Sequence, residues 1–207
     1  MRDALVVWQV ALSLVLLAGA LLFGRSFWAA RTQDVGFETT ERLVIRVDLR
    51  AQGYTADEGR AFLPRALERL SALPEVEEVA TTRMIPFQGD WSTDITPPAG
   101  VEANTPEGEF LVGLNTVSAG YFDLMGIPIV SGRPIGPEDA QGGTPAAVIN
   151  ETLARALFPG LDPLGRTVDL GDGRVLNVVG VARDADYYEL GEAHATQLYG
   201  SALQAFQ

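Results

Sequence analysis

The pattern of apolar and polar positions changes character along this chain. Residues Ala4 to Phe23 read A-L-V-V-W-Q-V-A-L-S-L-V-L-L-A-G-A-L-L-F, apolar on every side of a helix and without a charge. A helix of that length rises about 30 Å, the thickness of a bilayer's hydrocarbon core. Trp8 and Trp28 fall about 30 Å apart on the same rod, where two interfacial aromatic belts would lie. The pattern predicts a transmembrane helix spanning about residues 4–23, with residues 1–30 as helix and flanks. A cleavable signal peptide is the rival, since Ala18-Gly19-Ala20 offers a small-residue cleavage pattern. Such peptides carry an apolar region of about 7–15 residues after a basic start. Here the run is longer and the start is only Arg2 beside Asp3, so an uncleaved anchor is the better reading. Gln9, Ser13, Ala20 and Gly24 share one face. Helix–helix contacts in bilayers use such stripes, and a solitary anchor accommodates one equally.

Beyond a polar exit at Arg31–Glu41 the period shortens. Arg42–Leu49 alternates, with Leu43, Ile45, Val47 and Leu49 on one side, as a half-buried strand does. Thr55-Ala-Asp-Glu58 is a capping box, and Phe62, Leu63, Ala66, Leu67, Leu70 and Leu73 follow the helical period. Pro64 lies inside that pattern and is expected to kink the helix or delay its start. With Val76–Ile85 as a second strand, the segment reads as a βαβ-type unit. Residues 86–109 hold Gly89, Pro97, Pro98, Gly100, Pro106 and Gly108 with little periodicity, a loop-rich insertion or small subdomain.

Order returns with a strand at Phe110–Val117, a short helix at Tyr121–Met125 and an extended run at Ile127–Val130. Ala146–Ile149 reads as a short buried strand and Asn150 as the N-cap of a helix reaching Phe158. Asp162-Pro163-Leu164-Gly165 has turn chemistry, and Thr167–Leu170 and Arg174–Ala182 read as strands joined by Gly171-Asp172-Gly173. After Arg183 no terminal element is evident. The class is α+β.

Composition narrows the chemistry. The 207 residues include no Cys, which rules out disulfides and thiolate metal sites, and no Lys; all 15 basic residues are Arg. A Walker A loop needs its Lys on the phosphates, and Schiff-base catalysis needs an amine. From residue 33 onward 12 Arg oppose 26 acidic residues, a formal charge of −14. No basic patch is left to neutralise phosphates, which argues against nucleic-acid binding. The single His, His194, sits in the tail, and no G-x-S-x-G elbow accompanies any Ser. Asp184, Asp186, Glu189 and Glu192 form an acidic run around Tyr187-Tyr188, which lacks EF-hand spacing and reads as a solvated face. Asn150-Glu151-Thr152 matches an N-glycosylation acceptor, although Asn150 already has a capping role. Gly113, Gly120 and Gly126 are scattered between elements and form no phosphate cradle. The residues therefore nominate no catalytic, cofactor-binding or metal-ligating site.

Four blocks carry a resemblance. They are Val7-Trp-Gln-Val-Ala-Leu-Ser-Leu-Val-Leu-Leu17 with Gly24-Arg-Ser-Phe27 and Val35-Gly-Phe37; Leu67-Glu-Arg-Leu-Ser-Ala-Leu-Pro-Glu-Val-Glu-Glu-Val79; Val117-Ser-Ala-Gly-Tyr-Phe-Asp-Leu-Met-Gly-Ile-Pro128 with Ser131-Gly-Arg133; and Asn150–Val168 followed by Val178-Val-Gly-Val-Ala-Arg-Asp184. In this order and spacing the chain resembles the MacB-like periplasmic core domain of FtsX-like ABC transporter permeases, most closely those carrying the domain in duplicate. Pro64 departs from the family's uninterrupted helix.

The resemblance implies residues 31–207 as a porter-like extracytoplasmic domain with a small inserted subdomain, for which residues 86–109 are the candidate. It implies a cytoplasmic N-terminus in the inner membrane, against a local charge count in which Arg25 and Arg31 outnumber Arg2. Large domains translocate largely regardless of that count. It also implies a longer permease with further membrane helices, of which this chain is a fragment. ATP hydrolysis would fall to a separate ABC ATPase subunit, reached through permease regions absent from this chain. Other permease helices or a second permease copy, and the bilayer, would be the remaining partners, with no catalytic residue or cofactor carried over. The alternatives are a ligand-sensing ectodomain of a membrane signalling protein and an anchored hydrolase using His194 or the acidic run at Asp184–Glu192.

Overall fold

A computed structural model of the chain describes residues 1–32, 35–38, 40–49, 51–89, 91–106, 109–139, 144–188 and 195–204. The chain divides into two compact units, Met1–Val35 and Gly36–Gln207. The first is α1 (Arg2–Thr32), whose stretch Arg2–Ala29 is long and apolar enough to cross a membrane, an 18-residue window within it having a mean hydropathy of 2.4. Its last turn closes locally: the Thr32 hydroxyl donates to Trp28 O at 3.0 Å, and the Arg31 guanidinium lies 5.9 Å from the Phe27 ring.

The second unit is built on a mixed sheet. Its strands are β1 (Ser92–Ile95), β2 (Phe110–Val117), β3 (Ile129–Gly132), β4 (Ala146–Asn150), β5 (Thr167–Asp169), β6 (Val175–Ala182) and β7 (Gln197–Ser201). Their order is β1-β2-β7-β4-β6-β3, and β5 also pairs with β6. The β2–β7 and β4–β6 pairs are parallel; the others are antiparallel. β4 holds one edge of β6, and β5 and β3 share the other, β5 on its first half and β3 on its second. Gly180 allows this crowding, because a Cβ there would collide with the Arg133 carbonyl.

Both faces of the sheet are covered, so its central strands are buried without alternation. On one face α4 (Glu151–Leu157) sets Leu153 and Leu157 against Val112, Ile149, Val178 and Leu198. On the other, α3 (Tyr121–Met125) sets Tyr121 and Phe122 against Val148, Tyr187 and Tyr199. Adjacent residues divide between the layers: Ala147 and Ile149 face α4, Ala146 and Val148 face α3. Gly120 and Gly126 bracket α3 at φ 81° and 64°, which a side chain would strain.

The helix α2 (Ala56–Ser71) forms as its capping box requires. Glu58 N donates to Thr55 Oγ1 at 3.3 Å, and Thr55 N donates back to Glu58 Oε2 at 2.8 Å. Pro64 stands inside it without delaying its start. The predicted flanking strands do not form. Residues 42–48 are extended but unpaired among the described residues, and all are exposed. Of Val76–Ile85 only an antiparallel bridge from Thr82 to Val117 is made, supported by Arg83 N to Thr116 O at 3.0 Å. Alternation specifies a strand only where a partner supplies the other half of its hydrogen bonds. Residues 86–109 contribute β1 to the main sheet. The sequence pattern does not predict β7, yet it lies at the centre of the sheet with every residue buried.

Leu153 has no exposed surface, whereas Leu161 is 55% exposed. Leu153→Ala is expected to destabilise the full chain in detergent by about 2–5 kcal/mol. Leu161→Ala should stay within about 0.5 kcal/mol in the same urea titrations.

Candidate functional site

The densest polar constellation of the described residues lies where β4 runs into α4. Asn150 has an extended backbone and ends β4, so its side chain can turn back over the first helical amides. Its Oδ1 accepts from Leu153 N at 3.0 Å and from Gln197 N at 2.9 Å. Its Nδ2 donates to Asp184 Oδ1 at 2.7 Å and to Ala195 O at 2.8 Å. Asp184, just after β6, also accepts from Thr152 N at 2.9 Å, from Thr152 Oγ1 at 2.9 Å and from Arg155 Nη2 at 3.0 Å. One amide and one carboxylate thus tie together β4, α4, the exit of β6 and the entrance of β7.

This arrangement corrects one expectation and bears out the capping role of Asn150. Asp184 and Asp186 are buried, so the first half of the acidic run is not a solvated face. Glu189, Glu192 and His194 lie outside the described residues. The Asn150-Glu151-Thr152 acceptor pattern falls on an asparagine that is 1% exposed and whose amide hydrogens are both engaged, so the folded chain cannot present it. Asp184 has its acceptor positions filled by protein donors, which leaves it no vacant lone pair for a cation. Among the described residues no group of three His, Asp or Glu side chains is placed to hold a metal ion.

A second constellation underlies the α3 face. The hydroxyls of Tyr121 and Tyr187 meet at 2.6 Å, and the Tyr199 ring packs 5.0 Å from Phe122 and 6.0 Å from Tyr187. Burial pushes all three phenols far above their ordinary pKa. Beside them Asn115, with no exposed surface, takes Met84 N on Oδ1 at 3.0 Å and donates from Nδ2 to Met84 O at 3.0 Å. That two-way clamp mimics a strand pair and holds the 81–84 strap over the end of β2.

A third polar cluster pins the connection after β3. Arg133 forks onto Asp139 with Nη1–Oδ2 at 2.6 Å and Nη2–Oδ1 at 2.9 Å, Gly136 N adds a bond at 2.9 Å, and the Ser201 hydroxyl donates to Asp139 O at 2.7 Å. Burial alone would raise the Asp139 pKa, but the Arg133 hydrogen bonds, the Gly136 amide and the Arg133 charge outweigh it and hold the carboxyl lower.

None of these clusters presents a free nucleophile or base to solvent in the way catalysis requires. The shallow depression beside α4, lined by Ala154, Arg155, Phe158, Pro159, Leu161 and Pro163, offers only Arg155 as a titrating group, and that guanidinium is committed to Asp184. The Gln197 amide is 2% exposed over Gly113, and neither its nitrogen nor its oxygen finds a hydrogen-bond partner among the described residues.

The fold and its polar clusters thus describe an α+β domain, following a helix of membrane-spanning length, in which buried polar groups serve the architecture. The sequence profile of the MacB-like periplasmic core domain matches residues 4–206, and the chain belongs to that family. No curated protein sequence matches it. Among solved structures it is similar to the periplasmic region of MacB from Actinobacillus actinomycetemcomitans, at 21% identity and a TM-score of 0.49, covering 68% of this chain and 55% of that one. It is also similar to the extracellular domain of the noncanonic ABC-type transporter YknZ from Gram-positive bacteria, at 21% identity, a TM-score of 0.47, and 66% and 60% coverage. A domain of a putative permease protein from Porphyromonas gingivalis matches at 16% identity, a TM-score of 0.42, and 66% and 54% coverage. The chain spans a little over half the length of those three domains.

Asp184→Ala would leave Thr152 N and one of the two Asn150 amide hydrogens without an acceptor in a buried setting. The expected loss is about 2–4 kcal/mol, read from the urea midpoint of the full chain. For Asp139 the lowered folded pKa means that the unfolded chain takes up the proton first on acidification. Its contribution is therefore complete above about pH 4 and fades as the pH falls through the folded value. Asp139→Asn should flatten the acid limb of stability against pH while lowering stability at neutral pH.

Proposed function

We propose that this chain is the membrane-anchored extracytoplasmic domain of an ABC transporter permease, which couples ATP-driven motion of partner subunits to export or mechanotransmission. The observation that carries this reading is the single family match from residue 4 to residue 206, which takes in the apolar helix and the sheet domain as one unit. α1 crosses the inner membrane with its amino end in the cytoplasm, and the domain from residue 31 onward lies in the periplasm. ATP is hydrolysed on a separate ABC ATPase subunit, in keeping with a chain that has no Lys for a phosphate loop. The domain acts by moving and docking: a sheet covered on both faces, with its polar groups locked, transmits displacement as a body. Contact with the ATPase runs through permease regions outside this chain, and other permease helices or a second permease copy are its further partners in the bilayer.

Two experiments test this. The chain has no Cys, so Asp172→Cys on the exposed β5–β6 hairpin introduces a single thiol. A membrane-impermeant maleimide added to intact spheroplasts should label it; labelling only after lysis would overturn the orientation. Co-expressed with an ABC ATPase and a permease that supplies its coupling regions, the tagged chain should co-purify with that complex from detergent-solubilised membranes and alter its ATP turnover. Absence of both effects would overturn the coupling role.

A further inference from the structure

The backbone enters the second unit at Gly36 and is gripped within a few residues. Gly36 takes a φ of 78°, and a Cβ on it would lie 2.7 Å from Asp184 O and 2.8 Å from Ala185 Cα. The entering chain therefore lies directly against the backbone that follows β6, where no flexible side chain can swing aside. Phe37 packs into the α3 layer with its ring 5.8 Å from that of Phe87. Glu38 N donates to Met125 O at 2.7 Å, and Arg42 Nε donates to Leu124 O at 2.8 Å. Those two bonds fill carbonyls that the end of a helix leaves without intrahelical partners. All of these groups belong to the second unit.

Asp184 faces two ways at this point. Its backbone meets Gly36, while its carboxylate accepts from the Asn150 amide, from Thr152 N and Oγ1 and from Arg155. Asn150 in turn takes Leu153 N and Gln197 N on its Oδ1. Contacts thus run in series from Gly36 through Asp184 and Asn150 to the first residue of β7. We propose that Asp184 is a coupling joint: a shift of Gly36 against residues 184–185 moves the carboxylate in its cradle and changes how firmly the starts of α4 and β7 are held. Asp184 and Asn150 are 8% and 1% exposed, and close-packed surroundings pass a displacement on where loose ones absorb it. Bonds of 2.7–3.0 Å are near their optimum, so a small shift weakens them. The inference rests on the reading of this chain as a coupling domain and names the residue at which motion of the chain leaving α1 is received.

Hydrogen exchange on the full chain in lipid nanodiscs tests this. It is read without any ATPase present, so failure of the joint and failure of the transporter reading are separate results. Gly36→Ala puts a side chain into the left-handed region and against Asp184 O. Protection at Thr152, Leu153 and Gln197, the amides that Asp184 and Asn150 hold, should fall by about tenfold. The amides of Arg133 and Gly165, bonded to β6 at Val179 O and Val178 O, should stay within about twofold. Coupling is reciprocal, so Thr152→Ala, which removes one hydroxyl bond to Asp184, should lower protection of the Glu38 amide by about threefold. Arg42→Ala releases only the grip on α3 and should leave Gln197 unchanged. Unchanged protection at Gln197 in Gly36→Ala would overturn the proposal, as would an equal loss at every amide, which is general destabilisation. A loss at Gln197 in Arg42→Ala as large as in Gly36→Ala would route the coupling through α3 and overturn it equally. If Gly36→Ala gives no folded chain, Thr152→Ala decides alone, and an undisturbed Glu38 amide sinks the joint.

Discussion

The central strands of a sheet covered on both faces cannot leave a backbone amide or carbonyl unpaired, and this constraint governs the heart of the second unit. β7 is its sharpest case. Five residues, all buried, complete a parallel ladder with β2 on one side and an antiparallel ladder with β4 on the other. The strand is too short to hold its place by area alone, and the side chain of Asn150 supplies what the ladders do not, taking Gln197 N at the point where β7 enters. The same side chain caps α4 and grips Asp184, so the strand order, the helix on one face and the exit of β6 are fixed at one place. The cost of leaving any of these groups unpaired inside the protein exceeds the worth of an ordinary exposed contact several times over.

Where local chemistry and tertiary setting agreed, the sequence was readable almost to the residue. β2, α3, β4 and the cap at Asn150 stand where periodicity and capping chemistry put them. The Gly171-Asp172-Gly173 turn formed because its two glycines take φ of 73° and 88°. β7 escaped because burial on both faces removes the alternation by which strands are recognised, and Gln197 and Ser201 give it polar ends. The 42–49 segment erred the other way. Its alternation is clear, but a pattern records what a face would bury and not whether a partner is present. Asp184 and Asp186 show why a charge run misleads: the residue types specify ionisation, while the donors converging on Asp184 come from 29 to 34 positions away in sequence.

The second unit therefore contains parts of different character. The sheet and its two helices are locked by apolar layers and by polar groups engaged from several directions. The strap at 81–84 is held by the Asn115 clamp on Met84, by the Thr82–Val117 bridge, by Thr81 N donating to Ser118 Oγ at 2.8 Å and by the buried Met84 side chain. The 42–71 segment keeps its own order: the capping box starts α2, Tyr54 packs edge-on against Phe62, and Leu49 lies over the buried Gly59. Family membership from residue 4 to 206 places the helix, the loose segment and the locked sheet within one evolutionary unit.

The three phenols beneath α3 give this layer its own sensitivity to strong base. Each stays un-ionised in the folded chain far above the value at which an unfolded tyrosine loses its proton, so above about pH 10 the unfolded form is favoured by roughly 1.4 kcal/mol per phenol for every further pH unit. Ultraviolet absorption from tyrosinate at these positions then signals collapse of the layer itself, which makes Tyr121, Tyr187 and Tyr199 an intrinsic optical reporter of the face opposite α4.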